Sequence, residues 1–341
     1  MLACFSHGEE VAGRPQIIVQ WDNDLLVGTD QGYTNGARIA YARELSSAGE
    51  NFNRLQNFLQ ALTGTAGEHA FGQWQFPESR VEHVHYGFGL TQLMFTPESP
   101  ASLTPSSGER PYAGWLGLEF SLQASGGDSA STATLSVGTT GRYSYARDNQ
   151  KWVHQNLSNS PIFQGWDSQA PSELTINLHF DHKRRLRFFE ETRDWPIQMD
   201  GFYEWGAAVG NFRADAYLGA LMRAGHNLPA RHTTPRVQLG SFTETLFAHE
   251  AGGEQPLSLY GFMGARGYAV LHDITLDGPV FRNWEESVDS ELWVGELSFG
   301  VAARWQAIEV SLSHTLRTQE FDHQRNRSRF GSIMLRMEIA Y

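Results

Sequence analysis

Strict alternation of apolar and polar residues, recurring from one end of the chain to the other, is the feature that most constrains its fold. Near the end, Ile333, Leu335, Met337, Ile339 and Tyr341 fall on one parity, and Arg336, Glu338 and Ala340 on the other. Ile308, Val310, Leu312 and Leu316 alternate with Glu309, Ser311, Ser313, Thr315 and Arg317. Trp293, Leu297, Phe299, Val301 and Trp305 do the same with Glu296, Ser298, Gly300 and Arg304. A period of two belongs to the β-strand, whose successive side chains point to opposite faces. In the first half, Ile17, Val19 and Trp21 oppose Gln20, Asp22 and Asp24, and Ala37, Ile39 and Tyr41 oppose Gly36 and Arg38. Leu116, Leu118, Phe120 and Leu122 oppose Glu119, Ser121 and Gln123; Leu174, Ile176, Leu178 and Phe180 oppose Thr175, Asn177, His179 and Asp181. Shorter or Gly-rich runs near 84–91, 135–140, 201–210 and 214–225, and an aromatic run near 256–272 of ambiguous parity, bring the count to about twelve strands.

Two architectures satisfy such a pattern: a soluble sandwich or barrel with its apolar face inward, or an outer-membrane barrel with that face outward. Four features favour the membrane version. The strands are long enough for a tilted crossing, and their count is even. Trp21, Tyr41, Trp293, Trp305 and Tyr341 sit at strand ends, as an interfacial girdle requires. The last residue is aromatic and shares the apolar parity of its strand. The expected fold is therefore an all-β, twelve-stranded antiparallel transmembrane barrel of a Gram-negative outer membrane. No apolar stretch approaches the roughly 18 residues of a spanning helix, which excludes a helical membrane protein only.

Charge and cysteine narrow the classes further. There are 38 Asp+Glu against 26 Lys+Arg, a net charge of -12 with no long basic run, which argues against a nucleic-acid surface. Cys4 is the single cysteine, so neither an intrachain disulfide nor a Cys-based metal cluster can form. Residues 1–15 read as the remnant of an export signal or a frayed end, and 16–341 as one barrel domain. With both termini periplasmic, extracellular connections fall near 25–33, 96–111, 142–172, 211–213, 273–291 and 319–327. The segments 45–80 and 227–255 are then long for periplasmic turns. Phe52, Leu55, Phe58, Leu59 and Leu62 have helical spacing and predict a short amphipathic helix over 51–63.

Four polar constellations could carry chemistry. Asp22-Asn23-Asp24 and Asp30-Gln31-Gly32-Tyr33-Thr34-Asn35-Gly36 gather oxygen donors that suit a hard cation such as calcium. The same residue types serve tight turns, and the spacing is not that of an EF-hand. Gln150-Lys151-Trp152-Val153-His154 and Gly165-Trp166-Asp167-Ser168-Gln169 share the longest extracellular segment. A rim histidine there could be a general base, or simply a surface residue, one of the chain's 13 histidines. Glu109-Arg110-Pro111-Tyr112-Ala113-Gly114-Trp115 offers Arg110 to a phosphate or carboxylate, or only fixes a rigid entry to a strand. Arg325, Arg327 and Arg329 alternate in the last extracellular loop, suited to lipid phosphates or to solvent. No Gly-x-Ser-x-Gly elbow, Walker A loop, His-Glu-x-x-His or dinucleotide fingerprint occurs, so serine-nucleophile chemistry has no support.

Taken in order, and continued to Arg317-Thr318-Gln319-Glu320-Phe321, these segments resemble the lipid A deacylase (LpxR) family of Gram-negative outer membranes. The resemblance spans nearly the whole chain. It implies a twelve-stranded barrel, in agreement with the alternation. It also implies a calcium-dependent esterase removing the 3′-acyloxyacyl group of lipid A, on the outer-leaflet side between barrel wall and extracellular loops near 22–36, 96–115 and 142–172. By position, His154, Asn23 and Thr34 match the family's catalytic residues, and Asp24 the main charged ligand of Ca2+. Arg110 and Tyr33 are the candidate substrate contacts. The implied partners are lipid A or lipopolysaccharide and the surrounding lipid, with no nucleic acid. Asp24 and Thr34 share the parity of Gln20, Asp22, Gly36 and Arg38, which points both towards the barrel interior. Two positions depart from the best-studied branch: Ser160 stands where that branch has an acidic residue, and 96–108 lacks its basic pair. Arg110 or the last-loop arginines are the available substitutes. A phospholipid acyl hydrolase using the same site, and a non-enzymatic pore, are the competing readings.

Overall fold

The computed structural model describes residues 14–24, 32–45, 83–158, 161–186, 197–229, 232 and 257–339. Most of the expected N-terminal segment, the 51–63 helix, Ser160 and Tyr341 lie outside the described residues. The strands are β1 (Gln16–Asn23), β2 (Gly32–Glu44), β3 (His83–Thr96), β4 (Ala113–Gly126), β5 (Ser129–Thr140) and β6 (Leu174–Arg185). They continue as β7 (Gln198–Gly210), β8 (Arg213–His226), β9 (Leu257–Asp273), β10 (Trp293–Trp305), β11 (Ile308–Arg317) and β12 (Arg329–Glu338). Each pairs antiparallel with its sequence neighbours, and β1 pairs with β12 to close the barrel. Closure gives every wall strand two partners and leaves no edge, the condition for crossing hydrocarbon with strands.

The polarity of the wall is inverted relative to a soluble protein. Leu118 on β4 is 65 % exposed while its neighbour Glu119 is 3 % exposed, and Leu218, Ile39 and Val301 likewise face outward. Such a surface is stable only against lipid, which identifies an outer-membrane barrel. Trp21, Trp293 and Trp305 are exposed at strand ends, where an amphipathic ring suits the water–lipid boundary.

Inside, charge is buried in pairs, as a low-dielectric interior demands. Arg38 meets Asp22 at 2.7 Å, Arg266 meets Glu204 at 2.8 Å, and Arg336 meets Glu309 at 2.9 Å. The extracellular connections 97–112, 141–173, 211–212, 274–292 and 318–328 follow the expected ones within a few residues. The parity of β9 was ambiguous in sequence because Tyr260, Phe262 and Tyr268 point into the lumen, where Tyr260 donates to Glu309 at 3.1 Å.

Candidate active site

The connection from β5 to β6 does not rise away from the barrel but folds back over its outside. A 3₁₀ turn, Gly141–Ser144, leads into helix α1 (Ala146–Val153), which runs on as a π-helical turn, His154–Ser158. Ala146, Gln150 and His154 are four residues apart and share one helical face. All three are buried, whereas Arg147, Asn149, Lys151 and Trp152 are exposed. The buried face rests on a cluster of Met94, Tyr112, Ala146, Phe163 and Trp166. Met94 lies on the outer parity of β3, since its neighbours Leu93 and Phe95 belong to the lumenal cluster with Trp115 and Phe330. Helix α1 is therefore a shelf on the outer wall.

Glycine makes the close seat possible. A Cβ at Gly114 on β4 would lie 2.5 Å from Ala146 Cβ and would overlap the Ser144 hydroxyl. Polar tethers hold the shelf: Gln92 Nε2 donates to Ser144 O at 2.5 Å, and Asn149 Nδ2 to Gln92 Oε1 at 2.9 Å. Trp166 Nε1 donates to Gln150 Oε1 at 2.7 Å, and the Gly165 amide to the Tyr112 hydroxyl at 3.3 Å. Burial raises the Tyr112 phenol above its ordinary pKa, against the lowering effect of the Gly165 amide, so it stays neutral.

His154 is 7 % exposed and its ring packs 6.0 Å from that of Phe163. Its Nδ1 lies 2.7 Å from the carbonyl oxygen of Pro161. A carbonyl only accepts, so Nδ1 carries the proton and Nε2 presents a lone pair. Asn23, the last residue of β1, has the outward parity of Trp21 and pairs in register with Asn35 and with Gly331. Asp24 follows directly and is fully buried.

Thr34 overturns the parity expectation. The β2–β3 register passes from Tyr33↔Phe95 to Asn35↔Met94, a bulge that leaves Thr34 as the extra residue. Tyr33 therefore faces the lumen, and Asn35 faces outward to accept from Trp21 Nε1 at 2.8 Å. Thr34 shares a 2.6 Å hydrogen bond with Thr96, which has the outward parity of Met94. Its hydroxyl sits on the outer side, not in the interior. Asn23, Thr34 and His154 thus meet the same face of the barrel, with Asp24 adjoining.

The family model described as outer membrane protein LpxR matches residues 1–339. The chain belongs to the LpxR family. Among solved structures, LpxR from Salmonella typhimurium is 14 % identical, with a TM-score of 0.71 over 95 % of this chain and 100 % of that one. The β-domain of the Bordetella autotransporter BrkA is 10 % identical, with a TM-score of 0.45 over 96 % of this chain and 100 % of that one. No curated protein matches the sequence. The LpxR family comprises outer-membrane lipid A 3′-O-deacylases, so the chain is an ester hydrolase of the outer membrane.

Arg110 and Tyr33 are not brought to this outer face. Both face the lumen, where Tyr33 donates to Asp22 Oδ2 at 2.7 Å and packs on Phe95 and Phe330. Arg110 donates to Glu320 Oε2 at 3.1 Å and to Thr275 Oγ1 at 2.8 Å, over the ring of Phe95. Glu320 also accepts from Arg317 at 3.1 Å and from Ser328. Burial alone would raise the Glu320 carboxyl; Arg110, Arg317 and the Ser328 hydroxyl outweigh it and bring its pKa down to about 2. These residues form a charged plug across the extracellular mouth. The segment 110–115 straddles the wall, with Arg110 in the plug and Tyr112 and Gly114 under the shelf.

Sequence reasoning missed Gln92, Met94, Thr96 and the seat at Gly114. A signal was there: Asn23, Asn35, Gln92 and Thr96 are polar residues on the lipid parity, all near the extracellular ends of β1–β3. Among the described residues no group of three or more His, Cys, Asp or Glu could hold a metal ion. Asp24, Asn23 and Thr34 would offer such an ion a carboxylate, an amide and a hydroxyl oxygen. An all-oxygen set of this kind fits a hard cation such as Ca2+ and not zinc.

Proposed function

We propose that this chain removes the 3′-acyloxyacyl group of lipid A by calcium-dependent hydrolysis, with His154 as the general base. The observation that carries the reading is the orientation of His154: its Nδ1 is tied to Pro161 O, on a shelf that faces the lipid side of the wall. Nε2 takes a proton from a water as that water's oxygen bonds to the ester carbonyl carbon. Pro161 O stabilises the resulting imidazolium. The imidazolium then returns the proton to the sugar oxygen as the acyl–oxygen bond breaks. Asp24 would be the charged ligand of Ca2+, with Asn23 and Thr34 as neutral oxygen donors. The cation, when bound, supplies positive charge where the ester oxygen becomes an oxyanion.

The test is mass spectrometry of lipid A after incubation with detergent-refolded protein, in calcium and in a chelator. Loss of one acyloxyacyl unit in calcium only, abolished in His154→Ala, is the expected result. Intact lipid A in calcium, from protein shown to be folded, overturns the reading, and turnover of phospholipid alone reassigns the substrate.

A further inference from the structure

We infer that Arg325, Arg327 and Arg329 form a phosphate-binding subsite on the outer rim of the barrel, which holds a phosphate of the lipid being hydrolysed. The inference rests on the outer-wall reading of the active site. Arg329 opens β12 on its outward parity, and the next outward residue, Gly331, is the register partner of Asn23. The arginines therefore begin one step above Asn23 on the adjacent strand. Ser328 turns the other way, donating to Glu320 in the plug, and this fixes which side of the chain Arg327 and Arg329 present. All three are exposed.

The loop that carries them is built, not draped. Gln324 Nε2 donates to Asn326 O at 2.6 Å, and the Glu320 amide donates to Gln324 Oε1 at 2.6 Å. The loop also leans on the β3–β4 connection: the Arg325 amide donates to Gly108 O at 3.2 Å, and Asn326 Nδ2 to Glu98 Oε2 at 3.2 Å. Gly108 has a φ of +81°, and a Cβ there would lie 2.6 Å from His323 O, so the approach of the two loops requires glycine. The contact carries cations to the side of the very connection, 97–112, whose stretch 96–108 has no Lys or Arg of its own.

The cavity beside the strip has the polarity of a lipid headgroup. About 1210 Å³ in volume, it is lined by Arg325, Arg327 and Arg329 of the loop and by Leu297 and Leu316 of the lipid-facing wall, and it reaches over the rim to Glu98, Glu296 and Arg317. Guanidinium groups spaced two residues apart present forked donors that match phosphate oxygens. An anionic headgroup with acyl chains beneath it satisfies both halves of this surface.

The test compares wild type with Arg325→Gln/Arg327→Gln/Arg329→Gln on bisphosphorylated lipid A and on the same lipid enzymatically dephosphorylated. Wild type is expected to prefer the phosphorylated lipid by about tenfold or more in kcat/KM, carried by KM, from charge-assisted hydrogen bonds. The triple variant is expected to lose that preference and to match wild type on the dephosphorylated lipid. A preference retained by the variant overturns the inference. A variant slowed equally on both lipids also overturns it, since the arginines would then act on a neighbouring anionic lipid. Retention of phosphorylated lipid A by immobilised His154→Ala protein, with and without the three substitutions, is read independently of turnover. If wild type cleaves neither lipid, the proposed function fails, and equal retention in that assay refutes the subsite separately.

Discussion

Replacing Gly114 by alanine tests whether catalysis depends on the shelf being seated against the outer wall. The added Cβ would stand 2.5 Å from Ala146 Cβ. Ordinary carbon–carbon contacts begin near 3.5–4.0 Å, so α1 must lift by about 1 Å or more to admit one methyl group. The Ser144 hydroxyl, which the same Cβ would overlap, can rotate; Ala146 cannot, because its Cβ is fixed to the helix backbone. His154 lies on the same face two turns along, so the lift is transmitted to its Nε2 relative to Asn23 and Thr34. A misplacement of about 1 Å between a base and its substrate is worth about 100-fold in rate. The expectation for Gly114→Ala is therefore a loss of about 100-fold in lipid A deacylation. Its barrel should still migrate as a folded, heat-modifiable species in detergent electrophoresis, because strand pairing at Gly114 involves only backbone. Gly267→Ala on β9 is the control, since a Cβ there meets nothing within 4 Å, and it should retain wild-type activity. A fully active Gly114→Ala would show that the helix need not touch β4 for the reaction, and the outer-shelf argument would fall.

Three further outcomes are expected. His154→Gln should leave folding intact and reduce deacylation by at least about 100-fold, the usual worth of a general base, as scored by mass spectrometry of the lipid. Asp24→Asn should raise the calcium concentration needed for half-maximal activity, because it removes a carboxylate from the proposed donor set; an unchanged calcium titration would remove Asp24 from the metal site. The third concerns pH. The Glu320 carboxyl is held at about 2 by Arg110 and Arg317 in spite of burial, below its ordinary 4.5. A depressed pKa gives stability that is complete above the unfolded value and lost as pH falls through the folded one, here between 4.5 and about 2. The shift corresponds to about 3 kcal/mol. Thermal unfolding in detergent should show the advantage of wild type over Glu320→Gln shrinking across that window, and a constant difference would contradict the pairing.

The barrel was legible because its wall obeys one rule. Wherever lipid touches one face and a polar interior the other, parity alone assigns strands, and the connections around 142–172 and 273–291 followed to within two residues. Reading failed where a local geometry broke the period. The bulge at Thr34 adds one residue to β2 and breaks the period there, so alternation carried back from Gly36 and Arg38 sends Thr34 inward. On β9, inward aromatic residues erased the contrast that parity depends on. The shelf was invisible for a different reason: helix spacing at Ala146, Gln150 and His154 says which face is buried, not what it is buried against. Arg110 and Tyr112 show the same limit, two residues apart and on opposite sides of the wall.

The position of the site follows from what the barrel interior must do. Its charged residues are buried, and each ion pair across the lumen is stable only while both partners stay together. The plug of Arg110, Arg317, Glu296 and Glu320 joins the connections after β3 and β11 to the ends of β10 and β11. An acyl ester could reach the lumen only by parting this plug, or by parting two strands and exposing their backbone groups to hydrocarbon. Either route strands polar groups without partners at a cost of several kcal/mol each. The outer wall imposes no such cost, because acyl chains already lie against it. What the outer wall lacks is polarity, and Asn23, Asn35, Gln92 and Thr96 supply it only at the extracellular end. There the 141–173 connection covers part of the wall and hydrogen-bonds Gln92, shielding polar side chains that bare lipid would penalise. The same loop that makes those residues tolerable delivers His154 to them, so stability of the wall and assembly of the site are one requirement.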